Sequence, residues 1–111
     1  MAQRLSPPFM RDCLLMSWLV EYDTDITDYL DAGWIVLNLN RAIFRLRLTD
    51  HGLPSEGELT DHGAGLYWWI VTGHSLLIRR TETATRILEI FVGELRDKEE
   101  IEEKLKQHRT K

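Results

Sequence analysis

The string Leu-Thr-Asp-His-Gly occurs twice, at Leu48–Gly52 and at Leu59–Gly63, with Glu56 and Glu58 between the copies. Imidazole and carboxylate groups are the usual oxygen and nitrogen ligands of Zn²⁺ or Mn²⁺, so metal binding is the first chemistry to weigh. A metal site also needs a spacing that projects its ligands together. The chain has no HExxH, no CxxC and no pair of histidines at helical spacing. Asp and Gly are also favoured turn residues, and each string closes an apolar segment, so the strings read as two similar element endings. Catalysis has less footing still. Cys13 lies in an apolar run, where a thiol is structural unless a base activates it. His51, His62 and His74 stand near glycines, but no nucleophile, base and orienting group form a recognisable set. With no glycine-rich phosphate loop either, neither an enzyme nor a bound cofactor or metal is expected.

Binding chemistry is better represented. From Ala32 to Thr49 there are three arginines (Arg41, Arg45, Arg47) and no acid; from Asp50 to Gly65 there are four acids and no Lys or Arg. All four lysines lie at Lys98 or later. A local basic patch of this kind approaches phosphate at close range even in a chain of net charge -4, although long-range steering is then weak. The plain alternative is a solvated face. With 111 residues, 43% hydrophobic and 29% charged, the chain has the composition of one ordinary globular domain. Its longest mostly apolar stretch, Cys13–Val20, is too short to span a bilayer, and Asp12, Glu21 and Asp23 around it make a poor secretion signal. The single cysteine excludes an internal disulfide and fits a reducing, cytoplasmic setting.

These residues need elements to position them. Ser6–Tyr22 reads as a helix with broad apolar coverage, and Thr24 or Asp25 caps a second, short helix through Leu30 that ends at Gly33. The stretch 34–49 is ambiguous. As a helix, Leu39, Ala42, Ile43 and Leu46 share a face opposite Arg41 and Arg45, but Phe44 and Leu48 fall on the arginine side. As a strand, residues 44–48 alternate with period two, and a turn at Asn40-Arg41 makes a hairpin; periodicity alone slightly prefers this. Residues 53–65 read as loop or wing, and Leu66–Val71 is the clearest strand. Ser75–Arg80 is a return strand after a Gly73-His74 turn, or a helix. From Thr83 to Gln107 the spacing of Ala84, Ile87, Leu88, Phe91 and Leu95 predicts one long helix, suited to packing on a second copy.

Four segments in order resemble the winged helix-turn-helix domain of archaeal, especially haloarchaeal, transcriptional regulators. Asp25–Trp34 is similar to the first helix with its Gly-Trp ending, and Ile35–Arg41 to the second helix and turn. Phe44–Leu53 resembles the recognition helix, and Gly65–Gly73 the wing strand. The resemblance covers about half the chain and implies an α+β fold: a winged-helix domain over 1–80 with an N-terminal helical extension, then a dimerisation helix over 81–111. It implies a DNA-binding regulator acting as a homodimer, with the recognition helix around 38–51 in the major groove of double-stranded DNA. Asn40, Arg41, Arg45 and Arg47 become the DNA contacts, the wing tip falls near His62 and Gly63, and Ile87, Leu88, Phe91 and Leu95 form the dimer interface. This reading predicts salt-sensitive duplex binding that Arg45→Ala weakens. The competing reading is a non-enzymatic protein-interaction module. Its hairpins over 34–48 and 66–80 pack on terminal helices and leave Trp68 or Trp69 partly exposed, although Trp34, Trp68 and Trp69 all suit a core.

Overall fold

A computed structural model describes residues 18–31 and 36–109. In chain order the elements are β1 (Leu19–Tyr22), α1 (Thr24–Leu30), α2 (Leu37–Leu46), β2 (Glu58–Asp61), β3 (Leu66–Val71), β4 (His74–Arg80), β5 (Ala84–Val92) and α3 (Lys98–Arg109). This is an α+β architecture around one five-stranded mixed sheet of order β1-β5-β4-β3-β2. β2 to β5 form an antiparallel meander, and β1 adds to β5 in parallel.

The sheet has a helical layer on each face, and the pleat of β3 decides which residue meets which layer. Leu66, Trp68 and Ile70 join Leu77, Ile101 and Leu105 under α3. Trp69 and Val71 join Leu76, Ile78 and Ile87 under α1 and α2. The central hairpin is closed by Thr72 (φ 49) and Gly73 (φ 75), between the facing pair Val71 and His74. Two consecutive positive φ values are the signature of the two-residue turn whose twist matches its strands. The turn therefore lies one residue earlier than the expected Gly73-His74.

α2 buries Leu39, Ala42, Ile43 and Leu46, a spacing of i, i+3, i+4 and i+7 that turns one stripe to the sheet. The helical reading of this stretch is thus the one realised, and the hairpin over 34–48 with a turn at Asn40-Arg41 does not form. Nor does a separate recognition helix over 44–53. The helix ends at Leu46, and Thr49 then folds back, its hydroxyl donating to the Leu46 carbonyl and accepting from the Gly52 amide.

Two further expectations are corrected. Residues 84–92, expected to begin a long dimerisation helix, are the strand β5, and the helix near the C-terminus covers only Lys98–Arg109. The helix-like spacing has a physical source. A bulge between Leu77 and Ile78 on one side sets Ile87 and Glu89 against them on the other, leaving Leu88 as an extra residue. Ile87 and Ile90, three apart, therefore pack in the α1/α2 layer, while Leu88 and Phe91 pack under α3. Residues 19–22, expected to end the first helix, pair as β1 with Ala84–Ile87. The rest of that helix, with Cys13, lies outside the described residues, as do Gly33 and Trp34. β2 supplies a strand inside the segment expected as loop or wing.

The chain around Gly52 is tied into the sheet by a relay. The Trp18 indole donates to Thr85 Oγ1 (2.8 Å), and that buried hydroxyl donates to the Gly52 carbonyl (2.6 Å). Gly52 has φ 73, and a Cβ there would collide with both the Trp18 indole and Thr85 Oγ1. Gly52→Ala should therefore destabilise the protein by about 1–3 kcal/mol. Gly63→Ala, whose Cβ meets nothing within 4 Å, should cost less. Urea midpoints of the two variants check the difference; equal midpoints would remove the relay from the account.

Candidate interaction face on the second helix

α2 brings the four predicted contact residues to one place. An open cleft of about 370 Å³ beside the helix is lined by Tyr22, Asn40, Arg41, Ile43, Phe44, Arg45 and Arg47. Their chemistry within the cleft differs. The Asn40 amide donates to the Leu30 carbonyl (2.8 Å), so it ties α2 to the end of α1. Arg45 makes a two-pronged contact with Glu56, Nε to Oε2 at 2.6 Å and Nη2 to Oε1 at 2.9 Å. This is the fork geometry that suits a guanidinium and a carboxylate. Arg47 donates to the Tyr22 hydroxyl (3.0 Å), with its guanidinium 6.0 Å from the centre of that ring. Arg41 is exposed and makes no hydrogen bond or ion pair among the described residues.

The side of α2 turned from the sheet is not polar. Leu37 is 46% exposed and Phe44 56%, and Leu48, just past the helix end, is 64% exposed. At 100° per residue, Leu37, Arg41 and Phe44 lie opposite the buried stripe, with Arg45 alongside. An apolar ridge interrupted by guanidinium groups thus runs along the outside of the helix. The sequence carried this signal in the placement of Phe44 and Leu48 on the arginine side. Exposed Leu37 was not anticipated.

The remaining sites fall elsewhere. The first Leu-Thr-Asp-His-Gly string forms the turn after α2, and the second ends β2 and enters the β2–β3 loop. Among the described residues no three His, Cys, Asp or Glu side chains gather as metal ligands would. The His74 ring is buried between the Tyr29 hydroxyl (2.8 Å from Nε2) and the Thr72 carbonyl (3.0 Å from Nδ1). A carbonyl only accepts, so Nδ1 donates to Thr72, while Nε2 shares a hydrogen bond with the Tyr29 hydroxyl. At the expected wing tip, Asp61 accepts the Gly63 amide (2.8 Å).

Trp68 and Trp69 are 2% and 0% exposed, which corrects the expectation that one of them faces a partner. Both indole N–H groups are spent on loop carbonyls, Trp68 on Leu95 (3.0 Å) and Trp69 on Glu56 (2.9 Å). Of the expected dimer residues, Ile87 is fully buried in its own chain. Leu88, Phe91 and Leu95 pack against the core under α3, with Phe91 stacked on Trp68 at 5.7 Å. The four do not share one surface, because Ile87 faces the α1/α2 layer while the other three lie under α3. No helix among the described residues is long and apolar enough to cross a membrane.

Comparison with protein-family models, curated proteins and solved structures finds no match.

The Arg45 fork has a consequence for acid behaviour. Hydrogen bonding to Arg45 holds the Glu56 carboxyl below its ordinary range, and Glu56 in turn raises the guanidinium. A depressed carboxyl favours the folded state above the ordinary glutamate value of about 4.3, and that contribution is lost as pH falls through the lower folded value. The expected outcome is a Glu56 side-chain carboxyl signal that titrates below the ordinary glutamate range in a ¹³C NMR series. In Arg45→Ala the same signal should return to the ordinary range.

Proposed function

We propose that this chain is a non-enzymatic interaction module whose docking face is the outer side of α2, and that it takes an acidic amphipathic segment of another protein. The observation that carries this reading is that α2 is apolar on two opposite sides. One side is buried on the sheet, and the other presents Leu37, Phe44 and the adjoining Leu48 to solvent. A helix on the outside of a domain ordinarily turns a polar face outward. Aromatic residues and arginine are enriched where proteins dock, and an exposed phenylalanine beside Arg41 has the make-up of an anchor.

Charge selects the kind of partner. Arg45 is held by Glu56, which leaves Arg41 as the unpaired cation of the ridge among the described residues. A helix or strand bearing apolar side chains, with an Asp or Glu placed to meet Arg41, therefore complements it. A second copy docking face to face about a two-fold axis would set these arginines against one another.

Duplex DNA is the second reading, favoured by the convergence of Asn40, Arg41, Arg45 and Arg47 on one cleft. Against it, Asn40, Arg45 and Arg47 are all engaged within the chain, and Glu56 stands directly on Arg45. A winged-helix arrangement would also need a second helix between α2 and β2, where the chain runs through turns.

The two readings separate in paired selections on the intact chain, one from a random peptide library and one from a random duplex pool at two salt concentrations. Enriched peptides should combine apolar residues three or four apart with Asp or Glu. Phe44→Ala, at an exposed position, should weaken their binding by roughly tenfold or more. Enrichment of a duplex sequence, with peptides unaffected by Phe44→Ala, would overturn the proposal in favour of DNA.

A further inference from the structure

On the opposite face of the sheet, β2, β3 and the start of α3 enclose a cleft of about 330 Å³. Its floor is apolar, formed by Trp68, Ile70, Leu95 and Ile101, and its mouth carries Thr60, His62 and Lys98. That size and make-up match small-molecule sites, which are largely apolar with a few converging polar groups.

The floor is fixed by hydrogen bonds that a ligand need not disturb. The Trp68 indole donates to the Leu95 carbonyl, and the Leu95 amide donates to Ser75 Oγ (2.8 Å). The buried Ser75 hydroxyl in turn donates to the Gly93 carbonyl (2.7 Å). The segment 93–95 is therefore pinned at both ends to the central strands. Phe91 stacks on Trp68, and the Lys104 ammonium lies 4.5 Å from the centre of the Phe91 ring.

The charges at the mouth are already sorted. Glu58 is paired with Arg96, and Glu102 with Arg109. Arg96 also reaches Glu94 (2.9 Å). Among the described residues Lys98 makes no ion pair, and the Thr60 hydroxyl and the His62 ring make no hydrogen bond. Lys98, a hydroxyl and an imidazole thus stand unspent above an apolar floor, while both acids lining the cleft are paired with arginines.

We infer that this cleft binds a small amphipathic monocarboxylate, its hydrocarbon part laid on Trp68, Ile70 and Ile101 and its carboxylate held by Lys98 and Thr60. An amine of the same shape would meet Lys98 with like charge, and both acids lining the cleft are already paired. The inference is independent of the docking face on α2, which lies across the sheet.

The test is a ¹H–¹⁵N NMR titration of the intact protein with octanoate and, separately, octylamine. Octanoate should shift the Trp68 indole resonance and the amides of 95–101 saturably, and octylamine should not. Lys98→Ala, an exposed change that leaves the core intact, should weaken octanoate binding by roughly tenfold, the loss expected for one charge-assisted hydrogen bond. The α2 amides should stay in place, which keeps this outcome separate from that of the docking face. No saturable shift at the Trp68 indole, equal binding of the amine, or an unchanged Lys98→Ala affinity would each overturn the inference.

Discussion

Adjacent tryptophans on one strand cannot face the same way, and that rule of the pleat organises this protein. Trp68 points into the layer under α3 and Trp69 into the layer under α1 and α2. Each carries an indole N–H that needs a partner once buried, and each finds one in a loop rather than in the sheet. The Trp69 bond holds Glu56, the residue that forks onto Arg45; the Trp68 bond holds Leu95, next to Arg96. One dipeptide thus fixes the position of a charged group on both sides of the sheet. The α2 ridge and the cleft at α3 rest on the same strand, read from its two faces.

The parts of this arrangement governed by local rules were legible from the residues. Leu66–Val71 follows from its aromatic and β-branched run, and the return strand is one of the two readings the residues after Gly73 allow. α1 follows from the polar residues before it and its apolar end. The region 84–95 misled because the Leu88 bulge gives a strand the apolar spacing of a helix. Its β-branched residues Thr85, Ile87 and Ile90 nonetheless favour a strand. The parallel pairing of β1 with β5 joins residues more than sixty positions apart, and nothing local announces such a contact.

The candidate site was legible in composition but not in use. Asn40, Arg41, Arg45 and Arg47 do gather on one cleft, yet sequence cannot show that Leu30, Glu56 and Tyr22 already engage three of them. The most telling residue, Phe44, counted against a helix because an outward helical face is expected to be polar. With the helix in place, the same misfit becomes the observation of interest: a hydrophobic side chain left in water on a well-packed element.

The partial cover that β1 gives β5 leaves part of that strand's rim bare. β1 reaches only from Ala84 to Ile87, so the outer rim of β5 from Leu88 to Val92 has no strand beside it among the described residues. Bare rims of this kind template chain-to-chain stacking, and Val92, 75% exposed, would invite it. Two devices oppose that outcome. The bulge at Leu88 breaks the flat run of backbone groups that a neighbouring strand would need. α1 then stands alongside, placing Asp25 and Tyr29 next to Leu88, Glu89 and Ile90, so that an incoming strand meets carboxylates and a helix instead of an open ladder. The irregularity that disguised this strand in the sequence also breaks up its bare rim.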